Sequence, residues 1–495
     1  MIAAEQSLAE PGRSRLPVND GVERLYARRA YAPMWDDPVR FNALLVALRR
    51  VADDGLSPQD YLVDVLPALR KEAGSSDARR ARADVVATRA LLDALAHLHG
   101  GKVGADGEQP AWHFETAPDT TAPWVDAAYT DNISGLFDRA RPPHPLYDAL
   151  REGLRRLRSV AAAGGWPEIA AGPALKPGAN DIRVPTLRQR LTVGGYLPPS
   201  AGDGSHYDEP LVAAVSRFQH EHYLTPDGVV GAATRAALNV PVTARIEQLR
   251  ANLERARWML RELRGDVLIV DIAGFRATYF RGSRPIWRSR VQVGTPDRST
   301  PVLRSEITYF TFNPTWTIPP TIMREDVLPK VRTDIGYLAD RRIRVLDHAG
   351  RELDPAEVDW EHPAGLLLRQ DAGPGNPLGR VAIRFPNPHA VYLHDTPNKR
   401  LFERGQRAVS SGCIRVENPL ELVEVLFNDP GRWNRQAIEA LIADGHTRNI
   451  ALPSPVPILL LYWTVDVLPD GRIGFKPDIY DRDPPLLRAL AGAAR

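Results

Sequence analysis

Residues 266–294 read DVLIVDIAGFRATYFRGSRPIWRSRVQVG. Two runs rich in β-branched and aromatic residues flank the turn signal Gly282-Ser283, a strand–turn–strand pattern. Immediately upstream, Thr243 to Leu263 (TARIEQLRANLERARWMLREL) repeats at the helical period, with Ile246, Leu249, Leu253, Leu260 and Leu263 on one stripe. The chain therefore changes from helix to sheet near residue 265.

Toward the N-terminus the helical pattern continues. Arg40 to Ala52 aligns Leu44, Leu45, Leu48 and Val51, and Asp84 to His99 aligns Val85, Leu91, Leu92, Leu95 and Leu98. Residues 1–165 thus read as a helical scaffold, and no His, Asp, Glu or Ser there sits at a spacing that suggests chemistry. Gly164 to Asn180 (GGWPEIAAGPALKPGAN) is a breaker-rich linker. Beyond it, Val184–Leu191, Glu209–Glu221 and Ala233–Leu238 predict a three-helix unit over 180–242, with a turn at Asp227-Gly228. The helix over 243–265 joins this unit to a β-rich domain over 266–450. Residues 451–495 are expected to add C-terminal strands, one in VPILLLYWTVDV (456–467) and one after Asp470-Gly471, packed with the tail on that domain. The fold class is multidomain α+β.

Composition sets outer limits. The chain has 495 residues, 43% of them apolar, which is enough for several cores and excludes a disordered or fibrous chain. With 63 basic against 61 acidic side chains there is no electrostatic footprint for nucleic acid. The run at 456–467 is too short for a membrane span, and Met1 to Gln6 has neither the basic nor the apolar region of a signal peptide. The single cysteine, Cys413, rules out an internal disulfide or a cysteine-rich metal site.

That cysteine lies in AVSSGCIRV (408–416), nineteen residues after His394 in Tyr392-Leu393-His394-Asp395. The apolar run before His394 predicts a strand ending there, with Tyr392 and His394 on one face and Leu393 on the other. A histidine beside the thiol would take its proton, and Gly412 would let backbone N–H groups approach an oxyanion. Arg415 adds positive potential. A lone thiol is also often a buried small apolar group. Spacing alone leaves the two readings open.

Two stretches carry a resemblance. LRQRL, AVSRFQHEH and DGVVGAATRAALN, within residues 180–240, are similar to the peptidoglycan-binding module of cell-wall enzymes, which serves in some proteins as a spacer only. His394 followed by Ser410-Ser411-Gly412-Cys413-Ile414-Arg415 resembles the active-site signature of the L,D-transpeptidases, with Ser411 where many members have His. FTFNPTWTIPP (310–320), RQDAGPGN (369–376) and FPNP (385–388) extend the likeness to the large multidomain class.

The resemblance implies a β-rich catalytic domain with a capping subdomain inserted at about 320–365. It implies Cys413 as nucleophile and His394 as base. A thioester would form at the diamino acid–D-alanine bond of a tetrapeptide stem, and transfer to a neighbouring amine would give a 3→3 cross-link. Gly412, Tyr392 and Arg415 would support the oxyanion and the loop, and Trp316, Ser411 and Asn418 would meet substrate. The implied partners are peptidoglycan stem peptides and carbapenem-type inhibitors. No cofactor or metal is called for. The implied location is the periplasmic side of the cell envelope, with a role in wall biogenesis and cell shape and room for a membrane tether outside the given sequence. An L,D-carboxypeptidase, which passes the acyl group to water, is the first alternative, and a non-catalytic peptidoglycan-binding scaffold the second. A zinc peptidase would need a ligand cluster, for which His389 and His394 are the nearest pair; an odd separation puts them on opposite faces of one strand.

Overall fold

The computed structural model describes residues 18–72, 74, 76–104, 112–113, 122–130, 132–200, 204–261, 263 and 265–492. The stretch Met1 to Gln6, read above for an export signal, lies outside them. The chain divides into two units, Met1–Leu263 with Trp463–Arg495, and Arg264–Tyr462.

In the first unit, local capping starts the helices that the periodicity predicts. Asp37 accepts from the N–H groups of Val39 and Arg40 at the head of Pro38–Arg50, and Ser76 accepts from Arg79 at the head of Asp77–Gly100. The apolar stripes of these helices, including Leu44, Leu48, Leu91 and Leu95, form one core. A second core, built from Leu187, Leu191, Leu211, Val215, Phe218 and Leu238, fills the three-helix unit. Its helices run Val184–Val193, Glu209–Glu221 and Ala232–Leu238, and the helix that follows is Val242–Met259.

Charged groups are also buried here. Asp54, fully buried, accepts from Arg141 Nε at 2.9 Å and from the Tyr147 hydroxyl at 3.2 Å, and Arg257 Nη1 donates to the Asp54 carbonyl at 2.8 Å. Removing one partner of a buried pair strands the other's charge. Asp54→Ala is therefore expected to destabilise this unit by about 3–5 kcal/mol, read from its denaturant midpoint.

The expectation that 451–495 packs as a whole on the sheet domain is corrected at Tyr462. Residues Trp463–Arg495 belong to the first unit. There Val465–Val467 and Ile473–Phe475 pair as a hairpin around Asp470-Gly471. The reason is polar as well as apolar. Asn252 Oδ1 accepts from the Thr464 N–H at 3.0 Å, Tyr223 donates to Asp466 at 2.6 Å, and Arg472 pairs with Glu221 at 2.8 Å. Leu486 and Leu490 share a small core with Ala251 and Val103.

The second unit begins with β1 (Val267–Asp271), β2 (Arg276–Arg281), β3 (Arg284–Gly294) and β4 (Val302–Phe312). An insertion then carries β5 (Trp316–Thr317), β6 (Ile343–Leu346), β7 (Glu352–Leu353) and β8 (Leu367–Gln370). The remaining strands are β9 (Val381–Arg384), β10 (Leu393–His394), β11 (Ala408–Ser410), β12 (Ile414–Val416) and β13 (Arg448–Leu461). Pairing runs β4-β9-β10-β12-β3-β2-β1-β13, and β13 pairs again with β4, so the sheet closes on itself. VPILLL is thus the end of a long strand parallel to β1, while the Val465–Val467 end of the same run supplies the strand that pairs with Ile473–Phe475. The insertion has its own core of Ile318, Met323, Val327, Leu328, Val331, Ile343, Val345 and Leu368. It is wider than 320–365, because Trp316 pairs with Gln370 and Thr317 with Arg369 and close its base.

Candidate active site

Strand register decides which side chains meet. Ala382 is opposite His394, His394 opposite Arg415, and Arg415 opposite Gln292. These four form one row on one face of the sheet, while Leu393, Ile414, Val291 and Val293 point into the core with no exposed surface. Extending the register by one pleat gives a second row of Arg384, Tyr392 and Cys413. Three observations agree with it. The Ile414 N–H donates to the Tyr392 carbonyl at 3.1 Å, the Arg384 guanidinium lies 3.9 Å from the centre of the Tyr392 ring, and Tyr392 is among the groups that lower the thiol pKa. The Tyr392 and His394 rings share the face, with centroids 5.7 Å apart. Cys413 and His394 are therefore diagonal neighbours across parallel strands.

The electrostatics follow from this packing. His394 is 3% exposed, and burial together with the neighbouring Arg415 charge pushes its pKa down to about 3. Its Nδ1 lies 2.5 Å from the Asp395 carbonyl, which assigns the proton to Nδ1 and leaves the Nε2 lone pair free. Asp395 is itself held by Lys399 at 2.6 Å and by the Arg380 N–H at 2.9 Å. Burial raises the Cys413 thiol pKa, against lowering by Tyr392 and by the charges of Arg384 and Arg415. At neutral pH the resting pair is thus a thiol and a neutral imidazole.

The loop that presents the thiol is tied to itself. Ser410 Oγ donates to the Cys413 carbonyl at 2.6 Å and accepts the Gly412 N–H at 3.2 Å. Thr300 Oγ1 donates to the Gly412 carbonyl and accepts the Gly294 N–H, each at 2.8 Å. Gly412 has φ +109°, a conformation that side-chain-bearing residues rarely take. The Gly412 amide is therefore engaged and not free for an oxyanion. Among the described residues no acceptor takes the Cys413 N–H, so it and the Tyr392 hydroxyl are the donors at hand. Burial and the adjacent thiol raise the Tyr392 pKa, which keeps that hydroxyl protonated.

Residues 265–428 match the family described as "L,D-transpeptidase catalytic domain", residues 20–154 a "Scaffold domain", and residues 180–238 a "Putative peptidoglycan binding domain". Residues 265–428 are thus similar to an L,D-transpeptidase catalytic domain. A Haemophilus influenzae protein described as "Putative L,D-transpeptidase" is 37% identical over 219 residues, 44% of each chain. The chain thus spans less than half the length of that relative. A solved L,D-transpeptidase fragment from Xylanimonas cellulosilytica is 17% identical, covers 59% of this chain and all of its own, and superposes with a TM-score of 0.19. Another, solved in complex with imipenem, is 16% identical over 40% of this chain and 59% of its own, with a TM-score of 0.18.

Within residues 265–428 the other expected residues take different places. Ser411 is exposed, and its Oγ accepts from Arg298 at 3.0 Å. The same guanidinium pairs with Glu325 at 2.7 Å and Asp326 at 2.5 Å, so Arg298 ties the loop that bears Cys413 to the insertion. Arg415 donates to Gln292 at 3.2 Å, beside His394. Trp316 is half-buried and packs against the insertion's core. Asn418 stands before the helix Pro419–Phe427 and lines a groove of about 280 Å³ with Arg380, Lys399, Glu417 and Arg435. His389 is exposed and His394 buried, so the structure does not bring that pair together. Arg384, Gln292, Arg298 and Thr300 were missed by sequence reasoning. The signal available was alternation along the strand Val381–Arg384, but the neighbour Tyr392 lies across the sheet and only register reveals it.

Proposed function

We propose that this chain is an L,D-transpeptidase acting on peptidoglycan stem peptides through a Cys413 thioester. The observation that carries the proposal is a thiol in register with Tyr392 and diagonal to a buried, neutral His394 whose Nε2 is left as a base. Attack on the carbonyl between the diamino acid and D-alanine moves the thiol proton to His394 as the C–S bond forms. The oxyanion meets the Cys413 N–H and the Tyr392 hydroxyl. Collapse breaks the C–N bond, and D-alanine leaves with the proton from the imidazolium. An acceptor amine then gives a proton to His394, attacks the thioester and releases the thiol, forming a 3→3 link.

The peptidoglycan-binding module supports a wall substrate, and the same reading places the work on the periplasmic side of the envelope. No helix among the described residues is long and apolar enough to cross a membrane. Incubation with disaccharide-tetrapeptide and mass analysis tests the proposal. Cross-linked dimers with released D-alanine are the expected products. Tripeptide alone would make the chain a carboxypeptidase, and unchanged substrate would leave it a wall-binding scaffold.

A further inference from the structure

The thiol's own row holds a cation that the reaction above leaves unused. Arg384 lies over the Tyr392 ring at 3.9 Å, and its charge acts on both Cys413 and His394. It is half-buried, and no carboxylate pairs with it among the described residues. Most other arginines near the catalytic loop are committed to acids: Arg290 to Glu417, Arg298 to Glu325 and Asp326, and Arg380 to Asp395. Arg415 also lacks a carboxylate, but it lies in the row of His394 and spends a donor on Gln292.

We propose that Arg384 binds the terminal carboxylate of the donor stem, the one carried by the D-alanine that leaves. The inference rests on the stem-peptide reading and adds a specificity determinant to it. The geometry selects this carboxylate over the others. Its carbon is three bonds from the carbonyl carbon that Cys413 attacks, so the two lie within about 4 Å of each other. A guanidinium folded over the one side chain that separates it from the thiol reaches that position, with strands spaced at about 4.8 Å. Any carboxylate on another residue of the stem is farther along the chain. A planar guanidinium also matches a carboxylate with two parallel N–H donors, and stacking on Tyr392 holds the plane in place.

The test compares tetrapeptides ending in a free carboxylate and in a carboxamide, read as D-alanine or D-alaninamide release. The wild-type chain is expected to favour the acid in kcat/KM by at least about tenfold. Arg384→Gln should bring that ratio near one, and Arg384→Lys should keep an intermediate ratio. Any effect of Arg384 on the thiol itself acts on both substrates and cancels in the ratio. The inference alone is overturned by a wild-type ratio of one, or by a ratio unchanged in both variants. Turnover of neither peptide by the wild-type chain overturns the stem-peptide reading, and the inference with it.

Discussion

Cys413→Ala abolishes carbapenem acylation and lowers tetrapeptide turnover by at least about 10⁴-fold; this is the expected result, because no other group near the site can replace the thiol. The wild-type chain should gain the mass of one carbapenem, and the variant none. The hydroxyls of the two serines just before Gly412 are the natural substitutes, and both are occupied. Ser410 Oγ is bonded to the Cys413 carbonyl and the Gly412 N–H, and Ser411 Oγ to Arg298. Neither has a base of the kind that His394 offers the thiol. The substitution itself should cost little stability, about 1 kcal/mol or less, because the site is only half-buried and the void is small. A lost adduct with an unchanged unfolding midpoint therefore reports on chemistry. An adduct of undiminished yield in Cys413→Ala sinks the nucleophile assignment.

The legible and illegible parts of this site divide along a physical line. That Tyr392 and His394 share a face could be read from local pattern, because alternation along one strand fixes faces, and a glycine before Cys413 marks a turn; the roles of Cys413 and His394 came from the resemblance, since spacing left them open. Helix positions were legible from local pattern too: the stripe in Glu209–Glu221 matches the helix residue for residue, with Asp208 capping it. Partnerships across strands were not legible. Arg384 faces Tyr392 only because β9 and β10 pair with Ala382 opposite His394, and a slip of one residue would turn it into the core. The Gly412 amide looked available for an oxyanion because sequence does not show that Ser410 Oγ folds back to take it. The tail was misplaced for a related reason. Its apolar run spans the break at Tyr462, and the groups that draw Trp463 onward to the first unit, Asn252, Gln248 and Glu221, lie more than 200 residues upstream.

His394→Gln should lower kcat/KM by about 10²–10⁴-fold and, more tellingly, change the pH dependence of acylation. The sign follows from two shifts. Burial and the Arg415 charge hold the imidazole pKa at about 3, so in the folded enzyme His394 stays an unprotonated base well below pH 6.5 and is lost only as pH nears 3. Burial raises the thiol pKa, so unassisted thiolate is scarce at neutral pH and falls tenfold for each unit of acidification. In the wild type His394 takes the proton during attack, and its supply does not change between pH 5 and 7. The acylation rate should therefore vary by no more than about twofold across that window. In His394→Gln only preformed thiolate reacts, and the logarithm of the rate should climb with a slope near one up to the raised thiol pKa. A resting thiolate–imidazolium pair makes the opposite forecast, because it would break on protonation of the thiolate at low pH and on loss of the imidazolium proton at high pH. A wild-type acid limb centred near pH 6–7 that disappears in His394→Gln would therefore overturn the neutral pair, and with it the role of burial in setting His394 as a base.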